Sequence, residues 1–352
     1  MNEKQRWISV RASDQTGVMV WLMGLCGMIL LMVAVGGITR LTDSGLSMVE
    51  WKPILGAIPP LSHEDWEMRF EQYRNFPEYQ QINQGMSLGE FKSIYFWEYL
   101  HRLLGRLIGV VFLIPFLIFL FRGAFSRKTG WLFFLAFLLG GGQGFMGWYM
   151  VQSGLSENPM VSHYRLAAHF WLAVILFGYL LVLLLHLMKG QARELPVPGG
   201  RPVRHLAWGV LGLLVVQMTY GAFVAGLNAG FIHNTFPTMT GYWLHPDALA
   251  LPTLAANLLD NPVMVQWVHR VLGIIVLFAV SALWWMGRGR LPKGGARSAL
   301  HLVFAVTVAQ VVLGVVVLLT AVPVSLGTLH QVLACILLGV MIKLLHELHL
   351  IR

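Results

Sequence analysis

Charge is scarce in this sequence. Only 12% of its 352 residues are Asp, Glu, Lys or Arg, against about 25% in a soluble globular chain, while 57% are hydrophobic. That deficit argues against a water-soluble domain and places the chain in a bilayer. Cysteine is scarcer still. Cys26 and Cys335 each sit within an apolar run, which suits neither a disulfide framework nor a thiolate metal cluster; both read as small core residues. The N-terminus lacks the pattern of a cleavable signal, because Glu3 and Asp14 lie among its bases and the first apolar run is long enough to span. Its brevity and acids also argue against a mitochondrial transit peptide, so a bacterial inner (plasma) membrane is expected.

A further absence is local: the stretch 228–264 has no Lys or Arg, although the net charge is +9. Fourteen of the 25 bases lie in residues 1–16 and near 122–130, 187–204 and 287–297, among them Arg11, Arg122, Lys128, Lys189, Arg204, Arg288, Lys293 and Arg297. This is the positive-inside asymmetry, which predicts cytoplasmic termini and makes the excess charge topological rather than a nucleic-acid footprint.

What is present are apolar runs of spanning length. Runs of about 20 residues predict eight spans, near 17–38, 98–121, 131–151, 164–187, 204–227, 265–286, 298–320 and 326–346. The expected fold is an all-α integral membrane protein. Between the first two spans lies a polar segment of about 50 residues, too long for an idle connection. Within it, Ser62 before Glu64 and Asp65 reads as a capped helix start, and Trp66, Phe70 and Tyr73 share one face to Arg74, predicting a short interfacial helix.

The second half repeats the first. Trp97-Glu98-Tyr99-Leu100-His101-Arg102-Leu103-Leu104-Gly105 returns 168 residues later as Gln266-Trp267-Val268-His269-Arg270-Val271-Leu272-Gly273, with the histidine, arginine and glycine in register. Thr42-Asp43-Ser44-Gly45 is echoed by Leu227-Asn228-Ala229-Gly230, Gln143 and Gly147 by Gln310 and Gly314, and His169 by His330. Four spans per half predict two tandem, pseudo-symmetric four-helix bundles, 1–190 and 203–352, joined by a Pro/Gly-rich cytoplasmic linker over 191–202. Transporters are also built from repeats, so duplication alone does not decide function.

His101, His169, His269 and His330 fall near the extracytoplasmic starts of even-numbered spans, one pair per bundle. A lone histidine on an apolar face usually reads as core; four at equivalent depth read as ligands. Facing helices of a bundle are where cofactors are held, and haem iron accepts two axial imidazoles. Zinc or copper fits less well, because no thiolate or carboxylate cluster completes either set. Gly105 and Gly273 would leave room for a porphyrin face, and Arg102 and Arg270 suit haem propionates. The halves differ at one informative position: Glu98 faces the same way as His101, where the second half has Gln266. The bland alternative is a structural pair between Glu98 and Arg102 at i+4. His233 and His245 flank an unusual loop and carry no assigned role.

These residues resemble the haem A synthase family. The stretches Gly45-Leu46-Ser47-Met48-Val49-Glu50-Trp51-Lys52-Pro53, Gly89-Glu90-Phe91-Lys92-Ser93-Ile94-Tyr95-Phe96-Trp97-Glu98-Tyr99 and Phe231-Ile232-His233-Asn234-Thr235-Phe236-Pro237 are similar to its proteobacterial and mitochondrial branch over nearly the whole chain. The cysteine pairs of some members are absent, so no thiol step carries over. The resemblance implies oxidation of a ring methyl of haem O to a formyl group, through two hydroxylations and loss of water. It implies that His101 and His169, with Arg102, hold the substrate haem, that His269 and His330, with Arg270, hold a haem b cofactor, and that Glu98 is catalytic, as base or charge stabiliser. It further implies haem O synthase and an electron acceptor as partners, surrounding membrane lipid and, in principle, a homo-oligomer. A di-haem b electron carrier is the competing reading; a repeat transporter is a third.

Overall fold

The computed structural model describes residues 8–50, 55–155, 159–189 and 200–349. Among these every regular element is a helix, and β-pairing is confined to two isolated bridges, Val10 with Phe125 and Met239 with Tyr242. The helices are α1 (Gln15–Leu41), α2 (His63–Arg74), α3 (Pro77–Gln81), α4 (Leu88–Phe121), α5 (Arg127–Gly154), α6 (His163–Lys189), α7 (Gly200–Gly226), α8 (Leu254–Asp260), α9 (Pro262–Arg290), α10 (Gly295–Leu319) and α11 (Val324–His349). Eight of them, α1, α4, α5, α6, α7, α9, α10 and α11, are long and apolar enough to cross a membrane. This is a multi-pass membrane protein. Large side chains such as Phe145 and Phe278 are 63% and 70% exposed, as suits helices solvated by lipid rather than water. Most of the expected linker, 191–199, lies outside the described residues.

The chain forms two compact units, 1–177 and 178–352, with the division inside α6. In the first, α1 packs on α4 and α4 on α5. Trp21 anchors that contact: its indole N–H donates to the Val111 carbonyl at 2.8 Å, and its ring lies 5.2 Å from those of Phe112 and Phe133. In the second, α7, α9, α10 and α11 close on a core that includes Leu214, Leu283, Leu300 and Met341.

Two local features differ from the sequence expectation. Helix α4 starts ten residues before its apolar run, because Ser87 and Glu90 form a reciprocal capping box that satisfies otherwise unpaired N–H groups. His101 therefore lies well inside a continuous helix rather than at its mouth. Helix α2 is capped as expected by Ser62 and Asp65, but its apolar face is covered by α4: Phe70 stacks on Phe91 at 5.0 Å, and Trp66 meets Tyr95 edge-on at 5.0 Å. The aromatics that would have entered lipid are taken up by protein.

Candidate haem sites

Each unit brings its own histidine pair together. The imidazoles of His101 (α4) and His169 (α6) lie within electrostatic reach of each other, as do those of His269 (α9) and His330 (α11). Among the described residues no group of three or more His, Cys, Asp or Glu could hold a metal ion, so the donors come in twos.

Every one of the four faces a glycine on a neighbouring helix. A Cβ placed on Gly36 would stand 3.3 Å from His101, on Gly147 3.0 Å from His169, on Gly221 3.2 Å from His269, and on Gly314 2.8 Å from His330. These glycines are spaces that a methyl group would fill. One helical turn before three of them stands a glutamine whose amide nitrogen approaches the imidazole Nε2: Gln143 to His169 at 3.4 Å, Gln217 to His269 at 3.5 Å and Gln310 to His330 at 3.3 Å. At the fourth, His101, that position is Met32, which lies against Gly105 as Gln217 lies against Gly273. The echo of Gln143 and Gly147 in Gln310 and Gly314 is thus a shared contact with histidine. Gln217-x-x-x-Gly221 is a third copy, visible in the sequence as the same spacing but missed there. The side chains over Gly105 and Gly273 are Met32 and Gln217, and the glycines facing the four histidines are others.

These pockets suit haem on their own chemistry. The Nδ1 atoms of His169, His269 and His330 and the Oε1 atoms of Gln143, Gln217 and Gln310 are buried without a hydrogen-bond partner. Buried orphans of this kind need a partner, and paired imidazoles between apolar helices are a donor set that haem iron accepts.

Beyond the histidines, each unit clamps the loop that follows its first helix, α1 or α7. Glu98 is 3% exposed. Its Oε1 accepts from Arg102 Nη2 at 2.5 Å, and its Oε2 accepts from the Ser47 hydroxyl at 2.6 Å and the Met48 amide at 2.8 Å. Arg102 also donates to the carbonyls of Met48 at 2.9 Å and Glu50 at 3.3 Å. In the second unit Gln266 donates to the Ala229 carbonyl at 2.8 Å, while Arg270 donates to the carbonyls of His233 at 2.5 Å and Thr235 at 2.7 Å and to Gln266 Oε1 at 3.1 Å. The i+4 pair foreseen as an alternative role for Glu98 is therefore present. Both arginines hold loop backbone, with Arg270 Nε left buried and unpaired. The loops open alike, since Asp43 and Asn228 both adopt a left-handed conformation, φ 46° and 52°, which Asp and Asn tolerate best among residues other than glycine.

Two further groups lie in these loops. Glu78, 5% exposed, accepts from the Tyr73 hydroxyl at 2.8 Å, and Asn83 donates to the same oxygen at 2.7 Å. Burial pushes its carboxyl up to about 7; the Tyr73 bond opposes this, and the charges of Glu98 and Asp43 add to it. The rings of His233 and His245 meet at 4.5 Å, tilted by 38°. Burial first, then the neighbouring His245 and Arg270, lowers the His233 pKa.

Residues 19–342 match the family described as cytochrome oxidase assembly protein, COX15-CtaA. The chain is 47% identical over 339 residues to a protein of Rhodospirillum centenum named heme A synthase, covering 95% of this chain and 89% of that one. Proteins of the same name from Nitrosomonas eutropha and Nitrosospira multiformis are each 42% identical, over 91% and 95% of this chain and 90% and 94% of their own lengths.

Proposed function

Because the chain belongs to the COX15-CtaA family of cytochrome oxidase assembly proteins, we propose that it is a haem A synthase, oxidising a ring methyl of haem O to the formyl group of haem A for cytochrome oxidase. The observation that carries the division of labour is the Glu98/Gln266 difference between otherwise matching sites. In this reading the first bundle, within 1–190, takes haem O on His101 and His169, and the second, within 203–352, keeps haem b on His269 and His330. The protein lies in a bacterial inner membrane with its termini in the cytoplasm, and an electron acceptor and a haem O synthase are its partners.

The bound haem b would supply one-electron chemistry that no side chain of this protein offers. The protein's own residues bind, orient and move protons. Converting a methyl to a formyl group with the oxygen of water releases four electrons and four protons, so a base beside the methyl has work at each hydroxylation. Glu98 is that group, held by Arg102, Ser47 and Met48; its carboxylate accepts a proton or stabilises positive charge developing at the carbon, where low dielectric strengthens its field. Imidazoles fix the substrate through its iron, and the glycines at 36 and 147 keep the approach to them open. Lipid-facing apolar helices give the farnesyl-derived tail of haem O a route that avoids water.

The test is the pigment of the purified protein expressed with haem O. Haem A or a hydroxylated haem O bound to it supports the synthase. Haem b alone, in two reversibly reducible sites, would replace it by the di-haem electron carrier.

A further inference from the structure

We propose that helix α2 and the loop it grips form a positioning device for Glu98, with Ser47 and Met48 as the loop residues that touch the carboxylate; the inference rests on the assignment of Glu98 to the chemistry. Met48 is held from two directions. Its side chain is 8% exposed and packs with Phe70 and Tyr73 of α2 and Phe91 and Tyr95 of α4. Its main chain holds the site: the amide donates to Glu98 Oε2 and the carbonyl accepts from Arg102. A second strap runs beside it. Arg69 of α2 pairs with the carboxylate of Glu50, and the carbonyl of Glu50 accepts from Arg102 Nη1. Helix α2 therefore grips the loop at two residues, and the same two residues grip Arg102, with Met48 also holding Glu98.

The second unit shows what this adds. There the loop offers carbonyls to Gln266 and Arg270, and the first loop alone turns an N–H and an O–H onto the acidic position. A carboxylate facing a C–H bond must be held in direction as well as place, and a displacement of about 1 Å lowers a rate about 100-fold. Two donors on one oxygen and a guanidinium on the other fix both. The long first loop, unexplained by haem binding, is the support that keeps those donors in position.

The experiment uses the full-length, haem-loaded protein and measures kcat and KM for haem O, haem b content and thermal midpoint. The variants are Ser47→Ala, Arg69→Gln, and the charge exchange Glu50→Arg with Arg69→Glu, beside wild type and Glu98→Gln. We expect Ser47→Ala and Arg69→Gln to lower kcat about 10- to 100-fold with KM and haem b content unchanged, and the exchange to recover most of the Arg69→Gln loss. A purely structural role predicts lower yield, full turnover in the surviving protein and no recovery on exchange; that pattern overturns the inference. If Glu98→Gln is inactive while Ser47→Ala and Arg69→Gln both stay within about twofold of wild type, the positioning role alone falls. If Glu98→Gln turns over normally, the assignment of Glu98 falls and takes this inference with it. Should Arg69→Gln fold poorly, Ser47→Ala, a small change inside the loop, decides between the two roles by its kcat.

Discussion

Glu98 and Gln266 stand in matching positions, each four residues before an arginine, yet they bond their loops with opposite polarity. Glu98 receives two donors from residues 47 and 48, whereas Gln266 gives its amide hydrogens to the carbonyls of Ala229 and His233. The sequence, with a glutamine naturally present in the second half, suggests that Glu98→Gln folds without difficulty. The structure revises that expectation. Both oxygens of Glu98 face donors, so an amide there must turn its own hydrogens onto Arg102 or onto the Ser47–Met48 pair.

Glu98→Gln is therefore expected to fold at a cost of about 2 kcal/mol, the scale of one hydrogen bond to a charged group. Per mole of folded, haem-loaded protein it should make haem A about 100- to 10,000-fold more slowly, as for loss of a positioned acid–base group. Pigment chromatography alongside a melting curve separates the two effects. Near-normal haem A per mole would remove Glu98 from the mechanism.

The permanent cofactor should depend on the second unit. His269→Ala or His330→Ala is expected to reduce haem b retained on purification more than His101→Ala does. Gly314→Ala should do the same without replacing a histidine, because its methyl would stand 2.8 Å from the His330 ring and force the imidazole aside. Absorbance at the haem b bands measures all four. Equal losses from both halves would count against assigning haem b to one of them.

Glu78 predicts a pH dependence confined to α2 and α3. Its folded pKa, raised from 4.5 to about 7, means that the folded state holds a proton which the unfolded state releases between those values. The Glu78 contribution to the segment's stability is fully present below 4.5 and falls as pH rises toward 7, by roughly 3 kcal/mol in all. Hydrogen exchange across residues 63–83 should show this fall, and Glu78→Gln should flatten it. A segment equally protected at pH 5 and pH 8 in wild type would contradict the prediction.

Orientation is testable by fusion. A reporter that works only outside the cytoplasm should be active after Asp247 and silent after Lys293, given the bases of 287–297 and their absence from 228–264. Reversed activities would move the histidines to the cytoplasmic side.

The eight spans and the repeat of His101 and Arg102 as His269 and Arg270 were legible in the sequence. Bilayer thickness fixes span length, and a duplicated motif keeps its spacing whatever the helices pack against. The cap that begins α2 was legible for a similar reason, since Ser62 and Asp65 are three residues apart. Only the tertiary structure decided which glycines and glutamines meet which histidine, that the apolar face of α2 belongs to α4 rather than lipid, and that Arg102 holds Glu98 and loop carbonyls. Those facts depend on partners far apart in the chain, such as Ser47 with Glu98 or Gln217 with His269, 51 and 52 residues away. Local pattern says which residues could donate or accept; the packing of separate helices determines which of them come within reach.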